Sequence, residues 1–585
     1  MVIIRKAFYE ARKINNFKDL LASSVELYAD KTAFMLKKNS ESEETLYNNI
    51  TYSQFKKDVD ALGTSLINLG LKGQKVAIIS DNRYEWSVSY FAVTNGTGIV
   101  VPLDKLLPEN EIQDLLTRSG ASAVIYSEKF RKVMKNISLS NSVLKIFIDM
   151  DFQTGDTVPN DESNTLFSLN ELLLNGAKLI TKGNRLFLDA EINNEEMGII
   201  LYTSGTTYLA KGVMLSHKNI CTNLMDAASV IKVYPNDIFL SFLPLHHTFE
   251  STAGFLLPIY SGASITYCEG VRQMAKNMKD AHISVMVSVP ILYESMYKKI
   301  WTQVKKSGKA DTLRKAIRIN NFLKKYLKID LSRTLFKEIH EKLGGKVRLM
   351  VSGAAPIDPK VCEAFQDLGI KLVEGYGLTE TSPLVSVNDD RFVRNGSTGK
   401  PAPSVDVKIV DTDADGIGEI IAKAPSVMLG YYENPEATAE VMIDGWFYTG
   451  DLGYLDSDGY LFITGRKKNV IVLKNGKKIF PEEMETLIGR SDYVSEAFVY
   501  GKPDTDGDYK LCAKIVSNRE VFEDQFGKEV SSEKINEVIN DEIKKINKIL
   551  PQYKYIKELI ITEDELIKTT TGKIKRHEEL KLILG

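Results

Sequence analysis

The chain has 585 residues, more than one hydrophobic core normally serves, so at least two domains are expected. Hydrophobic residues make up 43% and charged residues 26%, as in an ordinary globular protein, and the net charge of −2 argues against nucleic acid as a partner. Cys221, Cys268, Cys362 and Cys512 form no CxxC pair, which disfavours a zinc site or a disulfide framework and predicts a cytoplasmic location. No apolar run is long enough to span a bilayer, whereas contact with a membrane surface stays open.

The part of the chain before about residue 400 alternates short apolar runs with helical patterns. Thr51 and Gln54 have the spacing of a capping box, with Thr51 as N-cap and the Gln54 side chain reaching back. Apolar runs at residues 76–80 and 123–126 indicate buried strands on either side of a helical stretch at residues 86–92. Similar apolar runs follow at residues 264–268, 285–289, 347–351 and 371–374. Repeats of this kind predict parallel sheets covered by helices.

Two segments of this part do not follow the alternation. Residues 151–195 are polar, with scattered Gly, Asn and Asp, and are predicted to be a connecting excursion. Residues 301–344 are rich in Lys and Leu at helical spacing, so we expect helices there. We interpret their charge as a solvated helix face, with a nucleic-acid patch as the minor alternative.

After about residue 400 the pattern changes to short strands separated by Asp/Gly turns. Pro481, followed by two glutamates, is typical of a helix start. The predicted fold class is α/β, with a large N-terminal domain at residues 1–466 and a small α+β C-terminal domain at residues 467–585. The large domain is expected to contain parallel sheets covered by helices and a β-rich subdomain at about residues 400–466.

The most informative segment lies between residues 198 and 217. An apolar strand ends at Tyr202 and runs into a loop of Thr, Ser and Gly, and a helix then begins at Ser216, a good N-cap. Small hydroxyl side chains and exposed backbone N–H groups beside Lys211 suit a polyphosphate. The pattern is not the Walker form, so a P-loop NTPase is not the right comparison.

Residues 202–212 resemble the signature loop of the adenylate-forming (AMP-binding) superfamily, which includes acyl-CoA synthetases, firefly luciferase and the adenylation domains of peptide synthetases. Six further motifs resemble those of that superfamily, in its order: LPLHH at 243–247, SGAAP at 352–356, EGYGLTE at 374–380, WFYTGD at 446–451, TGRKK at 464–468 and TGK at 571–573. The segments 301–344 and 465–483 are most similar to bacterial long- and medium-chain fatty acyl-CoA synthetases. The loop departs from the family pattern at Tyr208, normally Gly, and Ala210, normally Pro, so we expect altered ATP affinity or loop dynamics with binding retained.

The resemblance implies where ATP and AMP bind. Asp451 resembles the carboxylate that accepts both ribose hydroxyls, and Arg466 resembles their second partner. Tyr376 would offer a ring face to adenine, and Glu380 would hold Mg²⁺, a hard cation that prefers carboxylate and phosphate oxygens. The residues assigned in this way to ATP or AMP are Thr203, Ser204, Gly205, Thr206, Thr207, Lys211, Gly353, Ala354, Ala355, Glu374, Gly375, Tyr376, Gly377, Asp451, Ile463 and Arg466.

The resemblance assigns the chemistry to three residues. Lys573 would bridge the attacking carboxylate and the α-phosphate, Thr379 would hydrogen-bond the α-phosphate, and His247 would lie beside the acyl carboxylate, although it could equally be a core histidine. Lys468 resembles the hinge about which a mobile C-terminal domain turns. One orientation would present the Lys573 loop, and the other would present Gly476, also typical of an ordinary hairpin turn, to coenzyme A.

The sequence therefore predicts an ATP-dependent carboxylic acid:CoA ligase that forms an acyl-adenylate and releases pyrophosphate and AMP. Medium- or long-chain fatty acids are the expected substrates, with ATP, Mg²⁺ and coenzyme A as the other ligands. Three alternatives stay open: a fatty acyl-AMP ligase that loads a carrier protein, an oxidative luciferase-like enzyme, and a catalytically weakened acyl or nucleotide sensor. The sequence indicates nothing about the oligomeric state.

Overall fold

Two large sheets dominate the fold, and each has a parallel centre and antiparallel pairing at an edge. The computed structural model describes residues 7–38, 45–140, 144–152, 165–203, 210–504, 508–569 and 574–585. The nine-stranded sheet joins, in pairing order, Lys400–Pro401, Leu384–Val387, Lys371–Gly377, Leu349–Ser352, Val285–Ser288, Ile238–Ser241, Ser264–Tyr267, Thr32–Lys37 and Tyr47–Thr51. The eight-stranded sheet joins Gly430–Tyr431, Lys211–Ser216, Met197–Thr203, Ile99–Pro102, Lys75–Ile79, Ala123–Tyr126, Ile146–Asp149 and Thr165–Ser168.

Helices connect most of the consecutive parallel strands, as the alternating pattern predicted. The α-helices are Phe17–Tyr28, Tyr52–Asn68, Tyr84–Ala92, Glu109–Ser119, Arg131–Ser140, Leu169–Thr181, His217–Val230, Leu257–Ser261, Met274–Asp280, Pro290–Lys306, Ala310–Phe322, Ser332–Leu335, Lys337–Lys342, Pro359–Asp367, Pro435–Val441, Pro481–Ile488, Arg519–Phe526, Ser532–Ile549 and Arg576–Leu584. Segments of π-helix lie at Val93–Thr97, Glu250–Leu256 and Leu323–Leu327, and 3₁₀ turns at Glu128–Phe130, Thr379–Thr381, Lys467–Asn469 and Gln552–Lys554. Within the described ranges, every helix is too short or too polar to cross a bilayer.

Two helix starts show how the cap residues act. The Ser216 side chain accepts a hydrogen bond from the backbone N–H of Asn219 at 3.1 Å, and the Asn219 side chain accepts one from the Ser216 N–H at 2.8 Å. Thr51 likewise accepts from the N–H of Gln54 at 3.1 Å. The Gln54 amide, however, donates to Asp58 at 2.8 Å instead of reaching back, so the predicted capping box is only half formed.

The prediction of a connecting excursion at residues 151–195 is wrong for part of that segment. Strand Thr165–Ser168 adds an edge to the eight-stranded sheet, and helix Leu169–Thr181 packs against helix Tyr52–Asn68. Gly176 lies at this contact, where an added Cβ would be only 1.8 Å from a backbone carbonyl oxygen of the partner helix. The glycine that suggested a loop is therefore a close-packing residue inside a helix.

After residue 400 the chain forms an antiparallel sheet and then a small α+β unit. The antiparallel sheet joins Asp406–Val410, Gly418–Lys423, Trp446–Leu455 and Met442–Ile443, with Leu461–Arg466 also paired to Trp446–Leu455. The small unit contains the pair Ile471–Val472 and Lys478–Ile479 and a three-stranded sheet of Val494–Pro503, Tyr509–Ser517 and Glu558–Thr562. Its helix Pro481–Ile488 begins at Pro481, as predicted. The predicted fold class is confirmed, while the boundary between residues 466 and 467 stays a prediction.

A buried aromatic cluster supports the π-helical segment Glu250–Leu256. The Phe255 ring centroid lies 5.9 Å from that of Trp86, 6.0 Å from Tyr90 and 5.6 Å from Phe91, each in an edge-to-face arrangement. All four rings are at most 2% exposed. Such edge-to-face packing is favourable beyond simple burial and fixes the segment against the helix Tyr84–Ala92.

Candidate active site

One cavity of about 3030 Å³ opens where central strands of the nine-stranded sheet end. Its walls include the residues that follow strand Leu349–Ser352, the end of strand Lys371–Gly377, and side chains of the small unit such as Glu482 and Arg576. Ligand sites in open α/β sheets lie outside the carboxyl ends of the strands. Pockets for a single small ligand usually measure roughly 300–1,000 Å³, so this cavity has room for more than one substrate.

Asp451 and Arg466 face each other across two paired strands at the cavity wall. The Asp451 carboxylate is 4% exposed, and it accepts hydrogen bonds from Arg466 Nε at 2.8 Å and from the Tyr376 hydroxyl at 2.7 Å. The charge of Asp451 raises the pKa of Arg466. A carboxylate has two oxygens, each able to accept more than one hydrogen bond, which suits it to bind two neighbouring hydroxyl groups. Ile463 lines the same cavity.

The loop after strand Leu349–Ser352 brings Gly353, Ala354 and Ala355 to the cavity wall. Ala354 has a φ of +70°, a left-handed conformation that costs a residue with a Cβ about 1–3 kcal/mol. An added Cβ on Gly353 would lie 2.9 Å from the ring of Phe249. The small side chains of this motif thus leave a backbone surface against which a flat ring can lie.

The neighbouring strand ends in Glu374, Gly375, Tyr376 and Gly377, and all four line the cavity. Glu374 is 7% exposed, it accepts a hydrogen bond from the backbone N–H of Ile357, and burial raises its pKa to about 8. The side chain therefore ties this strand to the preceding motif loop. An added Cβ on Gly377 would lie 1.8 Å from a backbone oxygen, so the chain needs glycine there.

Thr203 and Lys211 lie at the two ends of the predicted phosphate loop. They pair across antiparallel strands, and the Thr203 hydroxyl donates to the Lys211 carbonyl at 3.4 Å. Both line the cavity. Four other predicted loop residues and the departure at Tyr208 lie outside the described residues: Ser204, Gly205, Thr206 and Thr207.

Tyr431 and Arg118 contact this region, although no motif indicated them. The ammonium of Lys211 lies 4.8 Å from the centroid of the Tyr431 ring, and the Tyr431 hydroxyl donates to Glu380 Oε1 at 2.9 Å. The Arg118 guanidinium donates at 2.8 Å to the carbonyl of the residue before Lys211. Strand pairing between distant segments brings Tyr431 here, and no local sequence signal could have predicted it.

Three residues predicted to act near the reacting groups also line the cavity. Thr379 and Glu380 lie on a 3₁₀ turn directly after the strand that ends at Gly377. The His247 ring centroid lies 4.1 Å from that of His246, whose Nε2 is 3.5 Å from a carboxylate oxygen of Asp104. His247 lines the cavity together with Thr248 and Phe249, which follow it on the chain.

An apolar arm of the cavity runs along one face of the central strands. Val285 and Val287, and likewise Leu349 and Val351, alternate along their strands and so point to the same side. The arm is lined by Ala227, Ile231, Val233, Phe239, Phe249, Ala253, Leu257, Val285, Val287, Leu349, Val351 and Val387, with Asn223 and Thr252 as its polar members. Val289 also lines the cavity, and the four residue steps of extended chain from Val285 to Val289 cover roughly 13 Å.

The predicted hinge, Lys468, and the two predicted loops of the small unit, around Lys573 and Gly476, differ in their relation to the cavity. Lys468 lines the cavity directly after strand Leu461–Arg466. Lys573 lies outside the described residues, but Thr569 and Ile574, on either side of that gap, line the cavity. Gly476 is not part of the lining: it sits on an exposed hairpin tip with a φ of +78°.

Helix Pro290–Lys306 of the large domain contacts the small α+β unit and holds the two against each other. The Lys298 ammonium donates to three backbone carbonyls of the small unit, at 3.1 Å to Gly489, 3.4 Å to Ser491 and 3.2 Å to Val494. Burial lowers the pKa of Lys298. Beside it, Arg490 of the small unit forms two hydrogen bonds to Asp358 of the large domain, at 2.8 and 3.2 Å.

Two family descriptions match consecutive parts of the chain. The one for AMP-binding enzyme matches residues 21–432, and the one for AMP-binding enzyme C-terminal domain matches residues 468–582. The chain belongs to the AMP-binding enzyme family. The resemblance noted in the sequence is thereby confirmed.

Relatives in this family include ligases of long-chain acids. The chain is 30% identical to a long-chain-fatty-acid–CoA ligase of Salmonella typhimurium over 459 residues, covering 74% of this chain and 75% of that protein. It is also 30% identical to long-chain-fatty-acid–CoA ligase 5 of Mus musculus over 576 residues, covering 92% and 83%. This AMP-binding enzyme is therefore an ATP-dependent acid–CoA ligase, as the sequence predicted.

Solved structures share the fold of this AMP-binding enzyme. An anthranilate CoA ligase in complex with anthranoyl-AMP superposes with a TM-score of 0.75 at 21% identity, over 99% of this chain and 98% of that one. A fatty acyl CoA synthetase of Mycobacterium tuberculosis superposes with a TM-score of 0.63 at 23% identity, over 97% of each chain.

Proposed function

We propose that this enzyme activates medium- or long-chain fatty acids. The observation that carries the proposal is the apolar arm, whose lining follows the central strands over roughly 13 Å. Each buried methylene contributes about 0.8 kcal/mol, so an acid that fills the arm would bind far more tightly than acetate. The names of the Salmonella and mouse relatives point to the same substrate class.

In the first step, an oxygen of the fatty-acid carboxylate attacks the α-phosphorus of ATP, and the bond to pyrophosphate breaks. We assign Asp451 and Arg466 to the ribose hydroxyls and the loop at residues 353–355 to adenine. Thr379 and Lys573 would offset the negative charge that builds as the carboxylate meets the phosphate. Preorganised charges of this kind act most strongly in a site that excludes water.

Glu380 fits the role of the Mg²⁺ ligand. It is a carboxylate on the cavity wall, and the Tyr431 hydroxyl fixes one of its oxygens at 2.9 Å. Mg²⁺ is usually held by one or two carboxylates together with substrate phosphates, and it would supply positive charge to the phosphates of bound ATP. Lys211, stacked on the same tyrosine ring, provides a second cation on this wall.

In the second step, the thiolate of coenzyme A attacks the carbonyl carbon of the acyl-adenylate, a thioester forms, and AMP leaves. Gly476, at the hairpin tip, lies outside the cavity lining, whereas Thr569 and Ile574 are part of it. We therefore infer that this orientation serves adenylation, and that a turn about Lys468 exchanges the two loops for the thiol step.

The first test measures pyrophosphate release with ATP, Mg²⁺ and a panel of acetate, octanoate, palmitate and benzoate, each with and without coenzyme A. We expect release to depend on the fatty acids and acyl-CoA to form only when the thiol is present. Release with benzoate but not with palmitate would refute the fatty-acid proposal. ATP binding without release for any acid would favour the sensor alternative.

A variant of the apolar arm sharpens this test. Ala227 is 9% exposed and lies on the arm wall, so Ala227→Phe would fill part of the arm, and it changes none of the residues assigned to ATP. We expect kcat/KM for palmitate to fall by roughly tenfold or more while that for octanoate changes little. The octanoate rate is the internal control for folding. An equal fall for both acids would show that the arm does not hold the acyl chain.

A further inference from the structure

An outward face with large apolar side chains lies on helix Ala310–Phe322 and the π-helical turn Leu323–Leu327. Such side chains are unusual on the solvent-exposed side of a helix. Residues at spacings of three and four along this segment fall on one side of the helix. We name as the 315–326 face the exposed residues Lys315, Arg318, Ile319, Phe322, Lys325 and Tyr326. Solvent-facing helix positions are normally polar, so apolar residues there need an explanation.

The apolar members of this face are large and well exposed. Phe322 is 58% exposed and Tyr326 62%, and their ring centroids lie only 4.8 Å apart, so the two rings contact each other in solvent. Ile319 is 59% exposed and the adjoining Leu327 57%. Contiguous exposed apolar groups with a polar rim mark an interaction site rather than chance exposure.

The opposite side of the segment is firmly attached to the enzyme. The buried Asn320 donates to the Ser332 hydroxyl at 2.9 Å and accepts from the backbone N–H of Leu331 at the same distance. Asn321 donates to Asp367 at 2.7 Å. The exposed rings are therefore presented by a fixed helix, not by a loose one.

The charge around the face is strongly positive. Residues 309–337 contain nine Lys or Arg and two Asp or Glu, a net charge of +7 in a chain whose net charge is −2. Within the described part of the chain, no carboxylate pairs with Lys315, Arg318, Lys325 or Lys328. These cations are thus available to an anionic partner.

We propose that the 315–326 face docks on the surface of an anionic lipid bilayer. Aromatic and aliphatic side chains that enter the headgroup boundary, with Lys and Arg beside them, are the composition of interfacial membrane-binding helices. The unpaired cations complement the negative surface of such a bilayer. The exposed aromatic rings in the middle of the basic face can enter the headgroup boundary of a bilayer, whereas a partner held by charge alone would make no use of them. The proposal does not rest on the acid that the enzyme activates, because docking needs neither ATP nor substrate.

The test is sedimentation of the full-length protein with phosphatidylcholine vesicles that do or do not contain phosphatidylglycerol. We expect binding to the anionic vesicles to exceed binding to the neutral ones by roughly tenfold or more, and to weaken as salt is added. The double variants Phe322→Ser with Tyr326→Ser and Lys315→Glu with Lys325→Glu should each lose roughly tenfold in binding. Since all four side chains are exposed, the thermal midpoint should stay unchanged in both variants.

Matched controls use equally exposed residues elsewhere. Lys544→Glu with Lys545→Glu makes the same charge change at lysines that are 72% and 70% exposed on helix Ser532–Ile549. Ile549→Ser with Leu582→Ser removes apolar groups that are 73% and 68% exposed. Both controls should bind like the unaltered protein. A loss in the controls equal to that in the face variants would overturn the proposal, because binding would then not depend on this face. No preference of the unaltered protein for anionic vesicles would overturn it as well and would favour a protein partner for the face.

Discussion

Replacing Lys573 by alanine is expected to slow acyl-adenylate formation by roughly 10²–10³-fold, the usual cost of losing one preorganised group that stabilises transition-state charge. The residues on either side of residues 570–573, Thr569 and Ile574, line the cavity. The lysine would therefore act where two anions, the fatty-acid carboxylate and the α-phosphate, come together. Pyrophosphate release with ATP and palmitate measures this step.

The rate of the second half-reaction, thioester formation, shows whether Lys573→Ala has lost a catalytic group or has lost its fold. Thioester formation from preformed palmitoyl-AMP and coenzyme A should stay close to normal in Lys573→Ala, because the carboxylate and the α-phosphate are already joined before that step begins. Lys581→Ala, an exposed lysine on the following helix outside the cavity lining, is the control and should leave both steps unchanged. An equal loss in both steps would contradict the role assigned to Lys573.

Replacing Asp451 by alanine is expected to weaken ATP binding by roughly 100-fold. The variant removes the carboxylate proposed to accept two ribose hydroxyls, and each hydrogen bond to a charged group is worth about 1.5–3 kcal/mol. It also leaves Arg466 without the partner that lies 2.8 Å away and frees the Tyr376 hydroxyl. Isothermal titration with ATP, in the absence of the acid, measures the effect directly.

Tyr376→Phe provides the comparison for this result. It removes the hydroxyl that donates to Asp451 at 2.7 Å but keeps the ring and the carboxylate. We expect its ATP affinity to fall by only a few-fold, the net worth of about one hydrogen bond. Unchanged ATP affinity in Asp451→Ala, with the fold intact, would remove Asp451 from the ribose site.

The motifs recognised in the sequence do come together in the fold, while the roles assigned to their residues stay predictions. Ala354 and Tyr376 line one cavity because the carboxyl ends of neighbouring parallel strands meet at one edge of a sheet. Asp451 reaches the same cavity from the antiparallel sheet, where it accepts a hydrogen bond from Tyr376. Tyr431 escaped prediction because its position depends on pairing between distant strands. Local composition also misled at Gly176, where the glycine serves a tight contact between two helices.

The outward face of helix Ala310–Phe322 shows a second limit of sequence reasoning. Its Lys and Arg residues suggested a solvated face, and that much agrees with their exposure. Periodicity cannot tell which side of an amphipathic helix faces the core when both sides carry apolar residues. Only the buried contacts of Asn320 show that Phe322 and Tyr326 point outward.

The three carbonyl groups around Lys298 have a consequence for how the small unit moves. This contact joins a charge to backbone dipoles in a partly buried setting, where dissolved ions screen it weakly. At the rim, the pairs Lys305–Asp492 and Lys306–Asp524 are more than half exposed on the lysine side and are readily screened. Salt is therefore expected to loosen the edge of the interface and to leave its centre intact, so that the proposed turn about Lys468 would depend only weakly on ionic strength.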